Sequence, residues 1–185
     1  MSKHDAYADD HVRAVLKSVK SIAIIGASAN ENRPSFFVAQ YMKAKGYDIY
    51  PINPGHAGRE IAGAMTYASL ADLPGPVDMV DVFRRTEALP GIVQEVVRMA
   101  ELPKVVWLQL GIRDDAIAAA LEMAGVTVVQ NRCPKIEYAR LCGEIGWTGF
   151  NRRTISSKKP VLAKGFQHFA LGKDKGKGKD KDKGQ

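Results

Sequence analysis

The sequence predicts an α/β fold, a doubly wound parallel sheet of about five strands flanked by helices. Three observations predict it. Short runs rich in β-branched and aromatic residues recur along the chain, helix-length segments separate them, and glycine or proline punctuates the joins. Strands separated by whole helices pair in parallel through right-handed crossovers.

Taken in order, residues 8–19 form an N-terminal helix that leads into the first strand, 21–26, "SIAIIG". A helix over 34–45 follows, with Pro34 suited to its first turn and Gly46 to its stop. The second strand is 47–53, "YDIYPIN", and residues 55–75 read mostly as connection with one short helical turn at Leu70. A third strand, 77–83, "VDMVDVF", precedes a helix over 86–100, and a fourth, 104–109, "KVVWLQ", precedes a helix over 114–124. Gly125 caps that helix. The fifth strand is 126–131, "VTVVQN", and a helix over 134–142 follows it. No internal repeat is present.

At 185 residues and 45% hydrophobic, the chain is long enough for one well-buried domain and short for two. That domain is assigned to 1–164. The net charge of +7 is unevenly placed: from Arg152 onward eleven Lys or Arg face three Asp, so residues 1–151 carry 16 positive and 17 negative charges. The excess sits in a Lys/Gly/Asp-rich segment, 165–185, whose composition buries too little apolar surface to fold and predicts a disordered tail. A near-neutral body argues against a specific nucleic-acid partner. No apolar run approaches the roughly 18 residues of a membrane span, and the N-terminus lacks an apolar signal region. Two cysteines, Cys133 and Cys142, are too few for a disulfide framework. The expectation is a soluble, cytoplasmic protein with no membrane partner.

In a doubly wound sheet the ligand lies beyond the carboxyl ends of the strands, where the strand order reverses. The residues after each strand are therefore the candidates. They are Gly26, Ala27, Ser28, Asn30 and Arg33 after the first, then Asn53, Pro54 and Gly55 after the second. Arg84, Arg85 and Thr86 follow the third, Gln109, Gly111 and Arg113 the fourth, and Asn131, Arg132 and Cys133 the fifth. Arginine recurs at successive strand ends, and guanidinium forks match phosphate oxygens; the N-terminus of the 34–45 helix adds backbone N–H donors. A dinucleotide site needs G-x-G-x-x-G and an acid about 20 residues on. Here Ser28 stands where the second glycine would be and the second strand ends in Asn53-Pro54, so that fingerprint fails at both checkpoints. A serine hydroxyl can instead donate to phosphate. The expected ligand is a phosphate-rich nucleotide with no acid reading its ribose, and the Rossmann-like sheet carries it.

The runs "IIGAS", "NRPSF", "YPINPG", "SLADLPGPVDMVDVFRR", "VVWLQLGI" and "NRCPKIEY" together resemble the stand-alone coenzyme A-binding proteins, relatives of the N-terminal domain of the succinyl-CoA synthetase α subunit. The resemblance spans residues 12–141. It implies that coenzyme A or an acyl-CoA is the ligand. By position, Gly26, Ala27, Ser28, Arg33 and Ser35 would line the phosphate loop; Asn53 and Pro54 would border the adenosine; Phe83, Arg84 and Arg85 would close over it. Gln109, Gly111, Asn131, Arg132 and Cys133 would face the pantetheine side. Many relatives carry aspartate where this chain has Asn131, so a role needing a carboxylate there is in doubt.

No catalytic constellation emerges. Of the four histidines only His56 falls near the rim, and ligation in the synthetase relatives needs a phosphorylated histidine and an ATP-binding domain. A non-catalytic CoA-binding protein is the expectation, with an acyl-CoA enzyme as partner. The CoA-binding subunit of a multi-chain acyl-CoA ligase and an NAD(P)-binding oxidoreductase stay open. Cys133, at the start of the last helix beside Arg132 and Lys135, is expected to favour thiolate and to be able to form a mixed disulfide with CoA. No metal ligand set is expected.

Overall fold

The computed structural model describes residues 3–142, so the expectations for 143–164 and for the 165–185 tail fall outside the described residues. Five strands form one parallel sheet: β1 (Ser21–Ile25), β2 (Asp48–Ile52), β5 (Met79–Val82), β6 (Val105–Leu108) and β7 (Thr127–Val129). Their order is β2-β1-β5-β6-β7. The chain steps outward from β1 in one direction to β2 and in the other through β5, β6 and β7, the doubly wound arrangement the alternation predicts.

Side-chain alternation along each strand splits the core in two. Ile22, Ile24, Met79 and Trp107 face α1 (Asp9–Ser18), α2 (Pro34–Ala44) and α5 (Pro134–Leu141). Ala23, Ile25, Val80 and Val106 face α3 (Leu89–Val97) and α4 (Asp115–Met123). The helices form where the spacing demands it. Val12, Val15 and Leu16 place three buried side chains on one stripe of α1, and the Asp114 carboxylate caps α4 by accepting from the N–H groups of Ala116 and Ile117.

Two elements differ from the sequence expectation. The helix expected over 86–100 is a 3₁₀ turn, Thr86–Ala88, followed by a shorter α3 that starts beside Pro90, where a proline fits the first turn. The 55–75 connection contains a hairpin, β3 (Glu60–Ile61) and β4 (Ala64–Met65), turned through Ala62 and Gly63 at φ 51° and 70°. Both turn residues adopt positive φ, as a two-residue hairpin requires, but alanine is no turn signal and strands of two residues leave no periodicity. The turn expected at Leu70 is a 3₁₀ turn, Leu70–Asp72, held by a Ser69/Asp72 capping box. No helix among the described residues is long and apolar enough to cross a membrane.

Candidate functional site

β1 and β5 are neighbours whose onward connections leave in opposite directions, so their carboxyl ends open the crevice of the sheet. A cleft of about 710 Å³ lies there. Its walls are Pro34, Phe37 and Val38 of α2, residues 83–87 after β5, residues 109–112 after β6, and Cys133, Lys135 and Ile136 at the start of α5. Of the residues proposed from sequence, it brings together Phe83, Arg84, Arg85, Gln109, Gly111 and Cys133. Gly26, Ala27, Ser28, Arg33, Ser35, Asn53 and Pro54 lie outside its lining, toward the β1 and β2 ends, and Asn131 and Arg132 lie outside it after β7.

The loop after β1 is built by its own side chains. Gly26 takes φ 84°, and a Cβ there would sit 3.0 Å from the carbonyl oxygen of Phe83 and 3.2 Å from Nε of Arg84. Glycine is thus needed where the ends of β1 and β5 cross, with the Arg84 side chain lying against it. Ser28 Oγ accepts from the N–H of Asn30 and Asn30 Oδ1 accepts from that of Asn32, which carries the chain into Arg33 at the N-cap of α2. Ser28 remains able to donate its hydroxyl proton to an oxygen. Ser35 is buried in the first turn of α2. Asn53 donates Nδ2 to the Ala27 carbonyl at 2.7 Å and accepts the Gly55 N–H at 2.9 Å, tying the second loop to the first; Pro54 opens the exposed turn after it. His56, in that same turn, has a buried Nδ1 with no hydrogen-bond partner among the described residues.

The strand-end arginines divide into two sets. Arg33, Arg84 and Arg85 are exposed and form no ion pair among the described residues. Arg113 is held by Asp5 at 2.7 Å and Asp115 at 2.9 Å. Its hydrogen bond holds the Asp115 carboxyl at about 2, below the usual carboxylate range. Arg132 reaches Glu137 at 3.8 Å, lies 5.6 Å from the Tyr7 ring centroid, and hydrogen-bonds the Asn131 carbonyl. Arginines therefore do recur at the strand ends, but only those on the β1 and β5 side carry uncompensated charge.

Asn131 sits at φ 52°, a conformation asparagine tolerates, and accepts the Gly111 N–H at 2.8 Å, so it fixes the loop after β6 to the loop after β7. An amide suffices for that bond. Cys133 is 8% exposed, and burial pushes its thiol above the ordinary cysteine value, outweighing the backbone N–H groups of Ile136 and Lys135 that pull it down. This corrects the expectation of a thiolate: a helix N-terminus and two basic neighbours in sequence do not offset desolvation.

Sequence reasoning missed Asp81. It is fully buried on β5, on the sheet face covered by α1, α2 and α5, and both its carboxylate oxygens accept from Nε2 of Gln109, at 2.9 and 3.0 Å. Burial pushes its carboxyl up to about 8. The available signal was an acid inside the apolar run "VDMVDVF" of a strand covered on both faces. Gln109 also lines the cleft, and with Nε2 donated to Asp81 its Oε1 keeps its acceptor capacity. Among the described residues no group of His, Cys, Asp and Glu is arranged to hold a metal ion.

The pattern of the CoA binding domain matches residues 20–139. A structure from Thermus thermophilus, "cell-free ID.343", is 41% identical and superposes with a TM-score of 0.68 over 73% of this chain and 99% of that one. YneT of Bacillus subtilis (strain 168) is 35% identical over 128 residues, 69% of this chain and 92% of that protein. The ADP-forming acetate–CoA ligase II of Archaeoglobus fulgidus is 33% identical over 78 residues, 41% of this chain and only 11% of the ligase.

Proposed function

The chain belongs to the CoA-binding domain family, and from that premise we propose that it binds coenzyme A or an acyl-CoA across the carboxyl ends of β1, β5 and β6, without itself making the thioester. The observation that carries this reading is the sorting of the arginines. Arg33 at the N-cap of α2, Arg84 against Gly26 and Arg85 in the cleft lining form no ion pair among the described residues, while Arg113 and Arg132 have partners. Phosphates would sit at the unpaired set, held by charge-assisted hydrogen bonds, the Ser28 hydroxyl and the first N–H groups of α2. The adenosine would lie toward Asn53 and Pro54, and the pantetheine arm would enter the cleft past Phe83 and over Gln109 and Gly111. The NAD(P) reading finds less support: β2 is followed by Asn53, whose amide is committed to Ala27 and Gly55.

A second reading rests on the ligase relative. The chain spans about a tenth of that protein's length, so it could act as the CoA-binding part of an acyl-CoA enzyme whose catalytic domain is another chain. Affinity capture of the tagged protein from its host would recover such a chain in defined stoichiometry; recovery of the protein alone would favour the stand-alone role.

Thermal unfolding with CoA, acetyl-CoA, NAD, NADP and ATP, each at about 1 mM, tests the primary reading. A ligand with Kd near 10 µM that binds only the native state stabilises by about 2.7 kcal/mol at that concentration. A shift with the CoA species alone is expected. A shift with NAD or NADP alone would overturn it.

A further inference from the structure

We propose that the ligand of this cleft is an acyl-CoA with an aliphatic acyl chain several carbons long, the chain lying against Phe37, Leu110 and Ile136. This rests on the CoA reading and extends it to the part of the ligand beyond the sulfur. Those three side chains come from α2, from the loop after β6 and from α5, yet all line the same cleft. They are 45%, 57% and 45% exposed, among the few large apolar side chains left to solvent. Scattered exposed apolar residues need no explanation, but three converging from separate elements on one opening do.

Free CoA does not account for them. Of the residues assigned to its phosphates and adenosine, Ser28, Asn53 and Pro54 lie outside the cleft while Arg84 and Arg85 line it; the apolar part of the lining is what the pantetheine arm and its cargo would meet. Gln109 lines the cleft and donates its Nε2 to Asp81, so its Oε1 keeps the capacity to accept from an amide N–H of the arm. Leu110, Ile112, Cys133 and Ile136 also line the cleft. Lys135, which also lines the cleft, places its ammonium 5.7 Å from the Phe37 ring centroid and 5.6 Å from that of Tyr41. The lining is thus mixed, with Arg84, Arg85, Glu87 and Lys135 beside the apolar side chains that an alkyl chain would contact. A saturated chain is the acyl class that gains from such a wall, because each methylene it buries leaves water.

Calorimetric titration of the full chain with CoA and with acetyl-, butyryl-, hexanoyl- and octanoyl-CoA tests this. Affinity should rise by up to about fourfold for each added methylene that the cleft buries. Leu110→Gln and Ile136→Gln, both at exposed positions the fold tolerates, should each lower the ratio of octanoyl-CoA to CoA affinity. CoA binding with no dependence on chain length would overturn the inference and leave the CoA reading intact. A chain-length series that both variants leave unchanged would place the acyl group elsewhere and overturn it equally. Binding of none of the five would overturn the CoA reading itself.

Discussion

Asp81 is the residue whose chemistry departs furthest from its ordinary behaviour. Its folded pKa, about 8, lies above the unfolded value near 4, so between those limits the folded state holds a proton that the unfolded chain has released. The contribution of this group to stability is therefore full below about pH 4, falls as pH rises, and levels off above about 8. Asp81→Asn keeps a partner for Gln109 and removes the titration. The stability difference between variant and wild type, from urea unfolding at pH 5, 6, 7 and 8, should grow in the variant's favour with pH, by at most about 1.4 kcal/mol per unit. A constant difference would mean that Asp81 is ionised in the fold. At the rim, Arg33→Ala and Arg84→Ala should each weaken CoA binding by about 1.5 to 3 kcal/mol, the worth of a hydrogen bond to a charged group; equal affinity in both variants would move the phosphates away from this loop. Cys133 should give no adduct of CoA mass after incubation with CoA disulfide at neutral pH, since burial keeps its thiol protonated. An adduct lost in Cys133→Ser would show that the site opens enough to expose it.

At the level of elements, the order and kind of the five strands of the parallel sheet and of the five α-helices among the described residues are legible in sequence, because they carry runs of buried residues with their own stops, such as Pro34 and Gly46 around α2. What is not legible is what side chains do once the elements meet. Gly26 reads as a phosphate-loop glycine, yet its geometry is set by the carbonyl of Phe83, 57 residues away. Gly26→Ala should cost about 2 kcal/mol or more, from the positive φ and the backbone contact together, read as a lower urea midpoint. A variant as stable as wild type would show that the β1 and β5 ends can separate freely. Arg113 has one partner next to it in sequence, Asp115, but its second, Asp5, and the partners of Arg132, Tyr7 and Glu137, come from segments distant in sequence or across a helix turn, which spacing does not reveal. Asp81 was hidden for the same reason: its partner Gln109 is on the neighbouring strand.

Over the described residues as a whole, the strand order places the loops of Ser28 and Asn53 on the β1 and β2 side and the cleft over β5 and β6, so under the proposed reading a CoA ligand would lie with its nucleotide toward β2 and its arm toward β6. The N-terminal segment reinforces that polarity. Asp5 pairs with Arg113, while Tyr7 stacks under Arg132 and accepts the Gln130 N–H through its hydroxyl at 2.8 Å. These few residues act as an electrostatic mask: they quiet two of the five strand-end arginines, so that the remaining three are the ones an anion meets. A chain starting at residue 9 loses Lys3 and Asp5 together, so its formal net charge stays at +7 while the mask is gone. Retention on heparin should move to higher salt in that shortened protein although the charge count is unchanged. Identical elution would mean that Asp115 and Glu137 alone keep Arg113 and Arg132 quiet. If retention does shift, where the positive charge lies, more than how much there is, keeps this surface from becoming a general polyanion trap.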